Sequence, residues 1–383
     1  MKKLAIITTH PIQYYAPVFE LLAKRIELKV FYTGGSDFNR VDQGFKKEIA
    51  WDIPLLIGYD FEFLKNVSPQ PGSHHFKGII NPDAIQQIKD FCPHAVLVYG
   101  WANQSHLKII RYYKGSTPVY FRGDSTLLDQ QRNIKGLLKK IFLKWVYSHI
   151  DTAFYVGSAS KAYFKAYGLK ENQLIFAPHA IDNQRFKTAI NNTFREALGI
   201  PEEHILILFA GKLEPKKDPT LLLNAFASLG LKNVSLLLVG NGVLEEDLKQ
   251  RVALEKLKSV YFMDFQNQSQ MPVVYQACDL FCLPSQGPGE TWGLAVNEAM
   301  AAGNAVLVSD KVGCAVDLIK QGVNGAIFKS GDLADLKQKL KTLIESKAIL
   351  AQMGMASKQI IQDWSFERQV TVIVDSIQNE HAK

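Results

Sequence analysis

Two glutamates eight positions apart, Glu290 and Glu298, flank the run Thr291-Trp292-Gly293-Leu294-Ala295-Val296-Asn297. The first falls in a glycine-bearing loop, and the residues from Val296 to Ala302 read as a helix. The second glutamate then lies one to two turns into that helix. A helix start offers unpaired N–H donors and the positive end of its dipole, which suits a phosphate. A carboxylate at either end suits the hydroxyl groups of a sugar and a ribose. The pattern fits a nucleotide-sugar lying across the helix start. It fits equally a plain strand-to-helix turn with one glutamate near its start and a solvated one further along.

A second group is basic. Lys212 and Lys217 follow an apolar strand, and Gly211 allows close approach. Two cations at a strand end neutralise a diphosphate and stabilise it as a leaving group. Lys216 is an alternative cation, and a solvated basic turn is the plainer reading. Further along stand the turn Gly240-Asn241-Gly242 and the run Ala277-Cys278-Asp279-Leu280-Phe281-Cys282-Leu283-Pro284-Ser285.

Taken in order and spacing, these segments resemble the signature of retaining glycosyltransferases of the GT-B fold, family 4, over roughly residues 205 to 330. The resemblance implies an α/β, GT-B architecture of two doubly wound Rossmann-like domains facing a central cleft. It implies that Glu298 takes a ribose hydroxyl and Glu290 contacts the transferred sugar. Backbone N–H groups near Gly293 and Leu294 meet sugar or phosphate. Trp292 either walls the sugar or simply packs. The base is expected near Phe262 to Phe265. Gly211, Lys212 and Lys217 take the diphosphate, although Lys212 stands where the family has arginine, so the planar bidentate fork is lost. No Asp-x-Asp pattern occurs, so no metal or other cofactor is expected.

The front half matches more loosely. His10 and Gln13 lie in His10-Pro11-Ile12-Gln13-Tyr14-Tyr15, after the first strand, where the family has a loop facing substrate; a structural, helix-capping role is the alternative. In Pro118-Val119-Tyr120-Phe121-Arg122-Gly123-Asp124-Ser125, Asp124 falls where the family has an important histidine. There it could stabilise oxocarbenium character or accept the acceptor's proton, or it could pair with Arg122. Gly100-Trp101 is a candidate acceptor wall. The segment from Pro178 to Phe186 resembles the family's linker, with His179 and Ala180 replacing Asn-Gly.

The positioning elements read as short strands apolar on both faces, alternating with helices, as in parallel sheets covered on both sides. Expected strands are 4–8, 28–32, 95–99, 118–121, 152–156 and 174–176 in the first half. In the second they are 205–210, 235–239, 260–262, 280–283 and 305–309, with helices at 219–229 and 244–257. The expected domains are 1–182, on the acceptor side, and 183–363, binding the nucleotide-sugar. A closing helix from about 364 to 383 packs back onto the first.

With 383 residues, 47% hydrophobic, the chain is long enough for two such domains. No apolar run reaches the roughly 18 residues that span a bilayer, and Leu4 to Ile7 is too short for a secretory core. Four cysteines without metal spacing read as buried reduced thiols. These features place the chain in the cytoplasm. Residues 1–185 carry 24 Lys and Arg against 15 Asp and Glu, a difference of +9, whereas the rest carries 20 against 22, or −2. A basic front half suits an anionic surface. No nucleic-acid motif accompanies it, so the inner face of an anionic membrane is preferred to nucleic acid. Within Arg132 to Ile150, Lys135, Lys139, Lys140 and Lys144 alternate with apolar residues. That suits a helix lying on lipid, or a core-facing helix with solvated lysines.

The combined expectation is a retaining, metal-independent glycosyltransferase. It moves a sugar from a nucleotide-diphosphate sugar to a saccharide or lipid-linked acceptor in polysaccharide or glycolipid biosynthesis. The catalytic residues are Asp124 and Glu290. A nucleotide-sugar epimerase on the same fold and a non-catalytic nucleotide-sugar-binding protein are the rival readings.

Overall fold

The computed structural model describes residues 1–36, 41–42, 47–48, 51–130, 133–188 and 193–379. The chain forms two units. The first comprises Met1–Arg40, Ile53–His179 and Phe366–Lys383, and the second Val41–Asp52 and Ala180–Ser365.

In the first unit, β1 (Lys3–Thr8) and β2 (Glu27–Tyr32) are followed by β5 (Asp60–Phe63), β6 (Ala95–Tyr99), β7 (Val119–Gly123), β8 (Thr152–Tyr155) and β9 (Leu174–Phe176). The intervening β3 (Val41–Asp42) and β4 (Lys47–Glu48) form a two-residue antiparallel pair in the second unit. The seven strands are ordered β5-β2-β1-β6-β7-β8-β9, all parallel. The central strands are buried on both faces, as Ala95 to Tyr99 show. That is why their sequences read as unbroken apolar runs.

The second unit holds β10 (Ile205–Ala210), β11 (Val234–Val239), β12 (Val260–Met263), β13 (Leu280–Leu283), β14 (Ala305–Ser309) and β15 (Gly325–Phe328). Their order is β12-β11-β10-β13-β14-β15, again all parallel. In each unit the order reverses beside the first strand, between β1 and β6 and between β10 and β13. Such switch points open a crevice at the carboxyl ends of the strands, where ligands bind in doubly wound sheets.

Two strands in these parallel sheets have no counterpart in the expected set, β5 and β15, and both are sheet edges. Asp60 to Phe63 is exposed or half-buried throughout, so it lacks the apolar run that marks a central strand. Gly325-Ala326-Ile327-Phe328 is short and opens with glycine. The C-terminal helix Phe366–Gln378 belongs to the first unit. Its apolar stripe Phe366, Val370, Ile373, Val374 and Ile377 is buried. Arg25 Nη1 donates to Thr371 Oγ1 at 2.9 Å, and the Tyr120 hydroxyl to the Ser376 carbonyl at 2.9 Å.

Three cysteines are buried thiols as expected, but Cys92 is exposed. It stands just past the helix Ala84–Asp90 with φ 53°, where the chain turns at the surface.

Candidate active site

In the second unit the loops after β10 and β13 meet at the switch point. Gln286 ties them together: its backbone N–H donates to the Lys216 carbonyl at 2.9 Å, and its side-chain amide to the Pro215 carbonyl at 2.8 Å. This brings Lys217 and Glu290 into an ion pair, with the lysine side chain 18% exposed and the glutamate 8%. Ser285 Oγ donates to the same carboxylate oxygen at 2.9 Å. The main chain around Glu290 is fixed as well, because Gly313 N–H donates to the Glu290 carbonyl and Cys314 N–H to that of Trp292.

The helix begins at Leu294, two residues before the sequence suggested, and runs to Ala302. Gly293 makes that start by turning left-handed, with φ +94°; a Cβ there would also meet Val312 Cγ1 at 2.8 Å. Among the described residues no side chain caps the helix, so its first N–H groups keep their affinity for an anion. Glu298 lies about 6 Å along the axis from Leu294, at 1.5 Å per residue. It is 4% exposed and accepts a 2.9 Å hydrogen bond from the Tyr275 hydroxyl. Lys217, Glu290, Gly293, Leu294 and Glu298 are therefore grouped at one helix start. Trp292 is buried, and its indole N–H donates to Asn297 Oδ1 at 2.9 Å; it packs here.

Gly211 and Lys212 stand at the end of β10, both half-buried. Gly240 abuts them: a Cβ on it would lie 2.1 Å from the Gly211 carbonyl oxygen. Lys216 pairs with Glu214 at 3.6 Å. Asn241 fastens the neighbouring turn, donating to Glu245 and Asp264 at 3.0 Å and accepting the Phe265 N–H at 2.9 Å. Sequence reasoning passed over Trp51, whose ring meets Phe265 edge-on at 6.2 Å. Only the assignment of residues 41–52 to this unit reveals it.

The first unit has its own pocket at its switch point, about 190 Å³ in volume. Asp124, just past β7, lines it with Thr8, Thr9, Tyr15, Tyr99 and His179. Arg122 is 3% exposed and donates to the carbonyls of Ala177 and Pro178 at 2.8 and 2.9 Å. His10 and Gln13 belong to the loop after β1, but the pocket wall there is formed by Thr9, Ile12 and Tyr15. His10 Nδ1 lies 2.8 Å from Thr9 Oγ1, and burial lowers its pKa to about 4. Gly100 lines the pocket, whereas Trp101 packs edge-on against Phe142. His106 is held between Thr33 Oγ1 and the Gly100 carbonyl, at 2.8 and 2.9 Å, and is a structural residue.

Residues 190–360 match the family model of glycosyl transferases group 1. This segment contains the ion pair, the uncapped helix and both glutamates. D-inositol 3-phosphate glycosyltransferase of Saccharomonospora viridis is 28% identical over 207 residues, 51% of this chain and 47% of the relative. The Rhodococcus erythropolis protein of that name is 26% identical over 227 residues, covering 57% and 51%. The chain thus matches about half the length of these curated relatives. Anabaena HepE, solved with UDP and glucose, is 19% identical with a TM-score of 0.74, covering 99% of this chain and 100% of HepE. Sucrose-phosphate synthase of Thermosynechococcus elongatus is 16% identical with a TM-score of 0.75, covering 100% of both chains. The two parallel-sheet units have the GT-B glycosyltransferase fold.

Proposed function

We propose that the chain is a retaining glycosyltransferase of family 4, moving a sugar from a nucleotide-diphosphate sugar to a saccharide or lipid-linked acceptor. The observation that carries this reading is the Lys217–Glu290 pair beside the uncapped start of Leu294–Ala302. A cation and oriented N–H groups stabilise the charge that builds on a departing diphosphate, which is work a metal ion does elsewhere. Glu298 takes the ribose, Gly211 and Lys212 the phosphates, and Glu290 the transferred sugar. Asp124 accepts the acceptor's proton or stabilises positive charge at the anomeric carbon. The anomeric C–O bond to diphosphate breaks as the bond to the acceptor oxygen forms. The UDP and glucose bound by HepE support a sugar nucleotide as donor. A thermal-shift panel of UDP-, GDP- and ADP-sugars in EDTA, followed by mass spectrometry with candidate acceptors, tests it. Stabilisation by one sugar nucleotide and a glycosylated product are expected; no stabilisation by any of them defeats the reading.

The acceptor side of this function includes contact with an anionic membrane, for which the helix Ile134–Tyr147 is built. Ile134 is 80% exposed, Leu137, Leu138 and Ile141 60–63%, and Phe142 and Trp145 40%. At about 100° per residue, these six occupy one arc of roughly 140°. Leu143, Val146 and Tyr147 are buried on the opposite side. Lys135 and Lys139 flank the exposed stripe on one edge, Lys140 and Lys144 on the other. The sequence left open whether these apolar residues face the core, and most of them do not. An exposed apolar stripe between lysine rows suits an anionic bilayer, each lysine contributing about 1 kcal/mol. Among the described residues no helix is long and apolar enough to cross a membrane. Co-sedimentation with phosphatidylglycerol vesicles is expected, and replacing the four lysines with glutamate should weaken it at least a hundredfold. Equal binding by that variant excludes this surface.

A further inference from the structure

The first unit has a second and larger cavity, about 590 Å³, at the start of the helix Ile134–Tyr147. Its walls come from that helix, from the loop before it and from the end of the helix Ser158–Ala166. Gln130 in the loop donates a hydrogen bond to the Tyr167 hydroxyl, just past the second helix. Lys135, Lys139 and Lys140 line the cavity, against the single carboxylate of Asp129 among the described lining residues. No described carboxylate pairs with any of the three ammonium groups. Ile134 and Leu137, 80% and 60% exposed, line the same cavity and also belong to the apolar stripe of the helix. The helix start is already capped, because Asn133 Oδ1 accepts the Gly136 N–H at 2.9 Å. The positive charge of the cavity therefore comes from its side chains. Its place in the fold is fixed by topology. β7 and β8 are parallel, so the helix joining them runs back along the sheet and starts at the carboxyl ends of the strands. Asp124, just past β7, stands on that same edge.

We propose that this cavity holds the phosphate or diphosphate of a lipid-linked acceptor, bound by Lys135, Lys139 and Lys140, with its hydrocarbon chain on the adjoining apolar stripe. The proposal rests on the glycosyltransferase reading and selects a lipid phosphate over a free saccharide as the acceptor class. The charge agrees: three lysines facing one carboxylate attract an anion, and an ammonium group binds phosphate as a compact point charge. The size agrees as well, since 590 Å³ lies within the roughly 300–1,000 Å³ of pockets that enclose a small ligand. The shared residues decide the class. A free sugar carries no charge for the lysines, and a free phosphate has no use for Ile134 and Leu137. An amphiphilic phosphate uses both. Seated here, it places the sugar it carries on the edge of the sheet where Asp124 stands.

Octyl diphosphate, a water-soluble single-chain probe, tests this by isothermal titration without a membrane. Wild type is expected to bind it at least tenfold more tightly than inorganic pyrophosphate. Lys139→Gln should weaken octyl diphosphate about fivefold, the scale of one lysine beside an anionic lipid. Lys108→Gln makes the same charge change at an exposed lysine outside the cavity, on the helix Gln104–Tyr113, and should leave binding unaltered. Leu137→Ser should weaken octyl diphosphate and spare pyrophosphate. The substituted side chains are exposed, so these variants are expected to melt with the wild type. Equal losses in Lys139→Gln and Lys108→Gln reduce the effect to the general field of the protein and overturn the proposal. Undiminished binding by Lys139→Gln places the probe elsewhere, the donor site included, and overturns it too. Pyrophosphate bound as tightly as octyl diphosphate shows a site for a free anion and overturns the lipid assignment. In the transfer assay, octyl diphosphate should compete with the acceptor, and less strongly in Lys139→Gln; inhibition that added acceptor does not relieve overturns the acceptor role. A wild type that binds no sugar nucleotide defeats the functional reading instead, and the titrations with octyl diphosphate still decide whether the cavity takes a lipid phosphate.

Discussion

Lys217→Ala tests whether the candidate site is held together as the structure shows. The substitution leaves Glu290, 8% exposed, facing Ser285 without its cation. Removing one partner of a buried pair costs about 3–5 kcal/mol. Lys217 retains 18% exposure, which admits some water, so the lower end applies. About 3 kcal/mol lowers the melting temperature of a unit of 150–250 residues by roughly 6–12 °C. The double variant Lys217→Met/Glu290→Leu removes both charges while preserving bulk, and buried pairs replaced in this way often lose no stability. It is therefore expected to melt near the wild type, giving a strongly non-additive double-mutant cycle. Thermal melts of the four proteins measure this directly. On the proposed function the same double variant should no longer bind the donor, because the lysine and the carboxylate assigned to the sugar are both gone. A Lys217→Ala melt within about 2 °C of wild type refutes the structural argument. Undiminished donor binding by the stable double variant refutes the functional one.

Glu298→Ala should weaken binding of whichever sugar nucleotide the thermal-shift panel selects about tenfold, the scale of one charge-assisted hydrogen bond, and isothermal titration reads it; unchanged affinity removes the ribose role. Asp124→Asn should keep donor affinity and lose turnover, and near-normal turnover ends its catalytic assignment. Burial lowers His106 from 6.5 to about 4, so it is neutral when folded and takes a proton when unfolded. Its contribution is complete above pH 6.5 and lost as the pH falls toward 4, a change of at most about 3 kcal/mol. Urea midpoints at pH 7.5 and 5 should therefore differ more in the wild type than in His106→Asn; equal differences dismiss the effect.

What the sequence revealed follows from how locally each feature is encoded. Strands such as β10 and β14 are buried on both faces, so runs of six and four consecutive apolar residues announce them. The edge strands β5 and β15 pair on one side only, and their sequences carry no such run. Glu290 and Glu298 were legible because one loop and one helix place them, and their spacing survives as sequence distance. The Lys217–Glu290 contact joins residues 73 positions apart. Its two members were each identifiable beside a strand end, but their meeting depends on β10 lying next to β13, which no local pattern dictates. The first-unit pocket is further still from local reading. Tyr99 looks like the last residue of a buried strand, and His179 like a departure within a linker. Only the order β1-β6-β7-β8-β9 brings their strand ends around one space. A tyrosine in an apolar strand usually means packing, and the place of Tyr99 in a pocket wall becomes visible only when its neighbours are known. Residues that line one pocket from the ends of several strands are thus hard to read from sequence, because the strand order that gathers them is set by no local pattern.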